Sequence, residues 1–376
     1  MQRIFLSLCM FFLLLAPCLS QNKQEMKWWN PSEAGYDAIS GRAWQEGLAG
    51  FYDRLPAEAE KSVRREVWAL SHNSAGEYIR FRTDADHITV RYTVKESLNK
   101  PHMPSTGVSG VDLYILDSSG SWHWAKGTYA FGDTIEYRFA SIDKSIRKKE
   151  YRLYLPLYNT IASLSIGIPG GSSFTPIAAG NEPAVVIYGT SIAQGACASR
   201  AGLAWTNMLG RKLPVPVINL SFSGNGQLEP VLIGLLLQTN AKVFVLDCMP
   251  NLWDRRKFSE DTVAQRIIHS VHTLRRERPE VPILLTEHCS GLPGTNADSG
   301  MRTRYKTTSE LLRSTFARLQ REGVTNIHLL KDSDIGFTLE SSVDGTHPND
   351  IGMMKYAEAY EKALLPLLQK KRIPNR

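Results

Sequence analysis

Cysteine is scarce in this chain. Five are present in 376 residues, at positions 9, 18, 197, 248 and 289, and none falls in a CxxC pair. That excludes a disulfide framework, and a chain of this length buries a sizeable core without one. No block of one charge dominates: 44 Lys and Arg stand against 37 Asp and Glu, for a formal net charge of +7. The basic cluster Lys370-Lys371-Arg372 reads as a solvated tail. Basic residues are not interleaved with aromatics, so no nucleic-acid partner is expected. Internal repeats and low-complexity tracts are missing as well. Past residue 20 no segment is apolar enough to span a bilayer, so no integral membrane segment is expected in the mature chain.

What is present begins with residues 1–20. Arg3 supplies a positive start, Ile4 to Leu15 is apolar, and Pro17-Cys18-Leu19-Ser20 offers a small-residue cleavage site. This pattern reads as a signal peptide and predicts an exported protein, periplasmic or extracellular. Cys18 offers a second reading, a lipid-carrying cysteine, for which Pro17 is a poor match. Cys197, Cys248 and Cys289 remain after cleavage and read as buried small hydrophobes. A Cys248–Cys289 bridge stays open.

Two halves then differ in hydrophobic period. From about Tyr78 to Pro169 the chain alternates, with Ile79 and Phe81 against Arg80 and Arg82, and Ile88, Val90 and Tyr92 against Thr89 and Arg91. Alternation puts one face on a core and one in water, and several such strands predict a β-sandwich of jelly-roll type over residues 21–175. Residues 57–71 carry no clear period. A Gly/Pro/Ser-rich stretch around Pro169 to Pro183 reads as the boundary. Beyond it, Ala184–Tyr188, Val215–Leu220, Val243–Asp247, Ile283–Glu287 and Ile327–Leu330 are nearly continuous apolar runs. Runs buried on both faces signal parallel strands. They alternate with helical stretches, which predicts a three-layer α/β/α domain over residues 182–376 with a parallel five-stranded sheet. Ligands in such sheets sit at the carboxyl ends of the strands.

Three motifs fall just past strand ends. In Tyr188-Gly189-Thr190-Ser191-Ile192-Ala193-Gln194-Gly195 the serine leads into a helix, with its hydroxyl exposed and its N–H among the unpaired donors of a helix start. The loops Ser221–Gly226 and Asp247–Asn251 can present donors beside it, from the Gly224 N–H and the Asn251 amide. With the Ser191 N–H these make a three-donor oxyanion hole. Gly226 competes with Gly224 for that role. In Asp344-Gly345-Thr346-His347 the carboxylate can bond one imidazole nitrogen and leave the other to face Ser191.

Gly189-Thr190-Ser191, Gly224, Asn251 and Asp344-x-x-His347 match in order the Ser, Gly, Asn and His blocks of the SGNH/GDSL hydrolase superfamily, which the chain resembles over residues 182–370. Thr190 stands where the family usually has Asp. Gly110-Val111-Asp112-Leu113-Tyr114 resembles the GxDLY signature of an N-terminal β-sandwich joined to this branch. The resemblance implies a serine ester hydrolase with Ser191 as nucleophile, His347 as base and Asp344 as its orienting partner, acting through an acyl-enzyme on an acylated small molecule or glycan. It implies neither a metal nor an organic cofactor. An acyltransferase using the same acyl-enzyme, and an inactive glycan-binding module, are the competing readings.

Further polar residues are weighed against bland readings. Gln194, Asn225, Glu287 and His288 are candidates for lining the pocket, but each reads equally well as loop support. His269 and His272, i,i+3 on a helix, read as surface residues rather than metal ligands. Trp122 and Trp124 share one strand face, for sugar stacking or for core packing.

Overall fold

The computed structural model describes residues 25–34, 38–146, 149–288, 292 and 296–369; the expected leader over residues 1–20, including Cys18, and Cys289 lie outside them. The alternating half forms two antiparallel sheets. One orders the strands Met26–Trp29, Ile161–Pro169, Ile88–Val94, Ile135–Phe139 and Gly127–Ala130. The other orders Phe174–Ile177, Tyr78–Thr83, Glu150–Tyr154, Asp112–Leu116 and Trp122–Ala125, with Ile39–Ser40 pairing onto Tyr78–Thr83. Their inward residues, among them Ile79, Phe81, Val90, Tyr92, Leu113 and Leu153, make a single core.

The second domain is numbered within itself. Its strands are β1 (Ala184–Gly189), β2 (Val217–Asn219), β3 (Ala241–Asp247), β4 (Ile283–Thr286) and β5 (Ile327–Leu330). All pair in parallel, in the order β2-β1-β3-β4-β5. The helices are α1 (Ser191–Gln194), α2 (Trp205–Lys212), α3 (Pro230–Leu237), α4 (Glu260–Glu277), α5 (Ser299–Arg321), α6 (Asp332–Ile335) and α7 (Asp350–Gln369). Period two splits each strand between two cores. Val185, Ile187, Val243 and Val245 meet Trp205 and Leu209 of α2 and Tyr356 and Tyr360 of α7. Val186, Tyr188, Phe244 and Leu246 meet α3, α4 and α5. Each such fully buried aliphatic contributes about 1.5–3 kcal/mol. The strand order turns around between β1 and β3, and their carboxyl ends carry the Ser191 and Asn251 loops. No helix among the described residues is long and apolar enough to cross a membrane.

The stretch without a clear period proves to be a fastening between the halves. It holds the 3₁₀ turn Ala57–Lys61 and the helix Arg65–Ser71, and it buries Ala59 and Val67, with Leu55 just ahead of it, in the core of the second domain. Arg54 is fully buried there. Its guanidinium donates to the carbonyls of Leu70, Asn73, Asn219 and Ser221 and lies over the Phe222 ring. Burial pushes Arg54 down to about 10, with Glu77 opposing, so it stays charged at neutral pH. A charge taken from water in this way is tolerated because its donors meet carbonyls.

Candidate active site

The chain leaves β1 at Gly189 and enters α1 within two residues. Thr190 is the extended N-cap, and its hydroxyl accepts the Ile192 N–H at 3.4 Å. Capping needs a side-chain oxygen, which Thr and Asp both carry, so the substitution in the Gly-Asp-Ser block leaves the turn intact. Ser191 follows as the first helical residue, where an N–H has no intrahelical acceptor.

The Ser191 Oγ lies 2.8 Å from His347 Nε2. On the far side of the ring, His347 Nδ1 lies 2.7 Å from Asp344 Oδ2. The other oxygen, Oδ1, accepts the backbone N–H groups of Thr346 at 2.9 Å and His347 at 2.7 Å. A carboxylate at Nδ1 fixes the proton there and leaves the Nε2 lone pair for the serine hydroxyl. Partial burial pushes the Asp344 carboxyl up, but the hydrogen bonds from the His347 ring and from both backbone N–H groups outweigh it and hold the group well below the usual carboxylate range. The His347 carbonyl accepts from the Val343 N–H at 2.9 Å and from the Ser342 hydroxyl at 3.1 Å, which closes the loop on itself. The Tyr305 hydroxyl pairs with Thr346 Oγ1 at the side.

Donors converge from β2 and β3. Asn251 Oδ1 accepts the Gly226 N–H at 3.0 Å, which fixes the amide orientation and turns its NH₂ outward as a donor. The same bond decides between the two glycines: the Gly226 N–H is spent on Asn251. Gly224 sits in the left-handed region at φ +73°, and its N–H meets no acceptor among the described residues. Gly226 allows the loop to touch the Ser191 turn, because a Cβ there would lie 2.5 Å from the Gly189 carbonyl oxygen.

Of the four pocket-lining candidates, three turn out to brace the loops instead. Gln194 is buried; its Oε1 accepts the Ser223 N–H at 2.8 Å while Nε2 reaches the Leu157 carbonyl at 3.2 Å and Asn73 at 3.4 Å. Asn225 donates to the Ser223 carbonyl at 2.6 Å and accepts from Arg64 at 2.7 Å, and Arg64 also clasps Glu229. Glu287 is buried and takes both arms of the Arg313 fork at 2.9 Å. Each of these amide and carboxylate groups is engaged with protein partners. His288 stands nearer, with its ring centroid 3.9 Å from that of Tyr305. Burial, with the neighbouring His347 adding, pushes its imidazole down to about 3, so it is a neutral wall. Cys248 is a free buried thiol that donates to the Tyr188 carbonyl.

Other neighbours of Ser191 carry no motif of their own. The Tyr158 hydroxyl, from the sandwich, donates to the Ser191 carbonyl at 3.3 Å. His102, also from the sandwich, places its ring centroid 5.8 Å from that of His347. Cys197 is buried nearby, with burial and the Asp344 charge pushing its thiol up to about 12. Asp112 of the GxDLY stretch binds Arg200 and Gly202, and Trp124 donates to it. Trp122 donates to the Arg211 carbonyl. Both tryptophans therefore serve the boundary between the halves.

The model of the GDSL-like Lipase/Acylhydrolase family matches residues 182–365, and that of the N-terminus of Esterase_SGNH_hydro-type proteins matches residues 26–174. No curated protein matches. Among solved structures, a GDSL-like lipase from Bacteroides ovatus is 30% identical with a TM-score of 0.82, over 92% of this chain and 99% of that one. The salicylyl-acyltransferase SsfX3 of a tetracycline biosynthetic pathway shares the fold at 19% identity and a TM-score of 0.71, over 92% and 99% of the two chains. A family two carbohydrate esterase from Cellvibrio japonicus does so at 12% identity and 0.51, over 92% and 98%. An α/β/α domain with the Ser, Gly, Asn and His blocks at one sheet edge, behind a GxDLY sandwich, places this chain in the GDSL-like lipase/acylhydrolase family.

Proposed function

We propose that this protein is an exported serine ester hydrolase that removes acetyl or other short acyl groups from carbohydrates. The observation that carries the reading is the continuous relay from Ser191 Oγ through His347 to Asp344, with contacts of 2.8 and 2.7 Å. Ser191 Oγ attacks the acyl carbonyl while His347 Nε2 takes the hydroxyl proton. The carbonyl oxygen becomes an oxyanion, which the N–H groups of Ser191 and Gly224 and the Asn251 amide stabilise, each by roughly 3 kcal/mol. The imidazolium, steadied by Asp344, returns the proton to the leaving alkoxide. Water then gives a proton to Nε2 as it attacks the acyl-enzyme, and the proton passes back to Ser191 as the acid departs.

Export rests on residues 1–20, and the carbohydrate part on the sandwich, a kind of domain often coupled to sugar-active enzymes. Release of p-nitrophenol from its acetate ester tests the chemistry. Ser191→Ala should lower kcat by about 10⁴-fold or more with the fold unchanged. Wild-type activity surviving in that variant ends the reading. Acetylated glycans, assayed with and without an added alcohol acceptor, separate acyl release to water from acyl transfer.

A further inference from the structure

His102, Cys197 and His347 each present one ligating atom, and these atoms all lie within 4.8 Å of one another. We propose that these three side chains form a regulatory binding site for a zinc-class divalent cation, which silences the enzyme by capturing the imidazole lone pair of His347. The binding stands on geometry alone; the silencing rests on the reading of His347 as the proton acceptor.

The donor set suits such an ion. Two imidazoles and one thiolate are the ligands of borderline-soft cations, with the fourth tetrahedral position left to water. Zinc holds nitrogen at about 2.0–2.1 Å and sulfur at about 2.3 Å, so the three atoms close onto it by side-chain rotations of about an ångström. His102 is exposed and free to make that rotation. The loops that carry the ligands are fastened together. His102 sits in a tight turn closed by the Lys100 and Met103 backbones at 2.9 and 3.1 Å. Thr106, just beyond it, donates to the Ser199 carbonyl at 2.5 Å. Ser199 in turn donates twice to Asp350, at 2.9 Å from its N–H and 2.6 Å from its hydroxyl, three residues past His347. Cys197 itself holds the left-handed conformation at φ +69°. Backbone strain at a residue that is not glycine persists where the surroundings over-determine it, and it collects at functional sites.

Occupation has defined chemistry. The Cys197 S–H bond breaks, its proton goes to bulk water, and a sulfur–metal bond forms. His102 and His347 each donate a ring lone pair. Asp344 keeps the proton on His347 Nδ1, so Nε2 is the donor, and the Ser191 hydroxyl loses its acceptor.

Cobalt(II) and zinc(II), added to the whole protein, provide the test. Cobalt should bind one per chain and give the near-ultraviolet thiolate band, which Cys197→Ser abolishes. Zinc should inhibit ester hydrolysis reversibly, with EDTA restoring it. In His102→Ala and Cys197→Ser, metal-free activity should persist while the zinc inhibition constant rises at least tenfold. His102→Ala keeps the test decisive should the buried cysteine variant fold poorly. Ser191→Ala should still bind cobalt, so a failure of the hydrolytic reading is told apart from a failure of the metal site. Absence of the thiolate band in wild type, or equal zinc sensitivity in His102→Ala, overturns the proposal.

Discussion

The Asp112 carboxylate, in the sandwich, accepts the backbone N–H of Gly202, in the second domain, at 2.9 Å. The same oxygen takes the Arg200 guanidinium at 2.5 Å, and the Trp124 indole binds the other oxygen at 2.8 Å. Burial pushes the Asp112 carboxyl up, with Arg200 opposing. Removing one partner of a buried pair leaves the other charge uncompensated. Asp112→Ala should therefore lower stability by about 3–5 kcal/mol. Asp112→Asn, which keeps one acceptor, should lose less. Urea midpoints read both, and an Asp112→Ala midpoint equal to wild type would refute the strut.

Asn251 is anchored by one atom and offers the other. Asn251→Ala should lower kcat by about 10²–10³ with KM little changed, as for loss of one oxyanion donor. Steady-state kinetics on a short acyl ester checks this. A change confined to KM would mean that the amide binds substrate rather than the charge that develops on it.

Gln194 braces the Gly224 loop through the Ser223 N–H. Gln194→Ala strands that half-buried donor and should cost about 1 kcal/mol. It should also lower kcat, because Gly224 follows Ser223 directly. Calorimetry and kinetics on the same variant test the link. Full kcat in a destabilised protein would uncouple the brace from the site.

Asp247, at the end of β3, is buried beside Tyr360, and burial pushes its carboxyl up to about 7 with the Tyr360 hydrogen bond opposing. The unfolded chain releases this proton near pH 3.8 and the folded chain near 7. Between those values the native state binds more protons than the unfolded state, so stability falls as pH rises, and the loss is complete above about 7. Asp247→Asn removes that dependence. Its advantage over wild type should be near zero at pH 4 and reach on the order of 2–4 kcal/mol at pH 8. Paired melts across this range decide it; an advantage that does not vary with pH rules the idea out.

The sequence made the second domain readable because β1 and β3 are nearly continuous apolar runs whose ends lead straight into the Ser191 and Asn251 loops. Period alone gives such strands, and their parallel pairing then carries Ser191 and Asn251 to one edge. Gln194, Asn225 and Glu287 look like site residues for the same reason: they are polar and follow strand ends. Nothing local distinguishes a side chain that faces substrate from one that faces a neighbouring carbonyl, because the partners Ser223, Arg64 and Arg313 are fixed only in three dimensions. Residues 57–71 were opaque for a related reason. Their 3₁₀ turn and helix are too short to repeat a period, and Ala59 and Val67 bury against the core of another domain. His102 and Cys197 lack any motif, and only folding sets them beside His347.

Arg54 has a consequence for how this chain can be dissected. Its guanidinium caps the carbonyls of Asn219 and Ser221, on the segment that leads into the Gly224 loop. A fragment cut at the Gly/Pro-rich boundary would take Ser191, His347 and Asp344 along but leave that plug behind. Two backbone oxygens and the Phe222 ring would then face solvent. The transplantable unit is thus both halves together, and an isolated α/β/α half would arrive with an open seam next to its Gly224 loop.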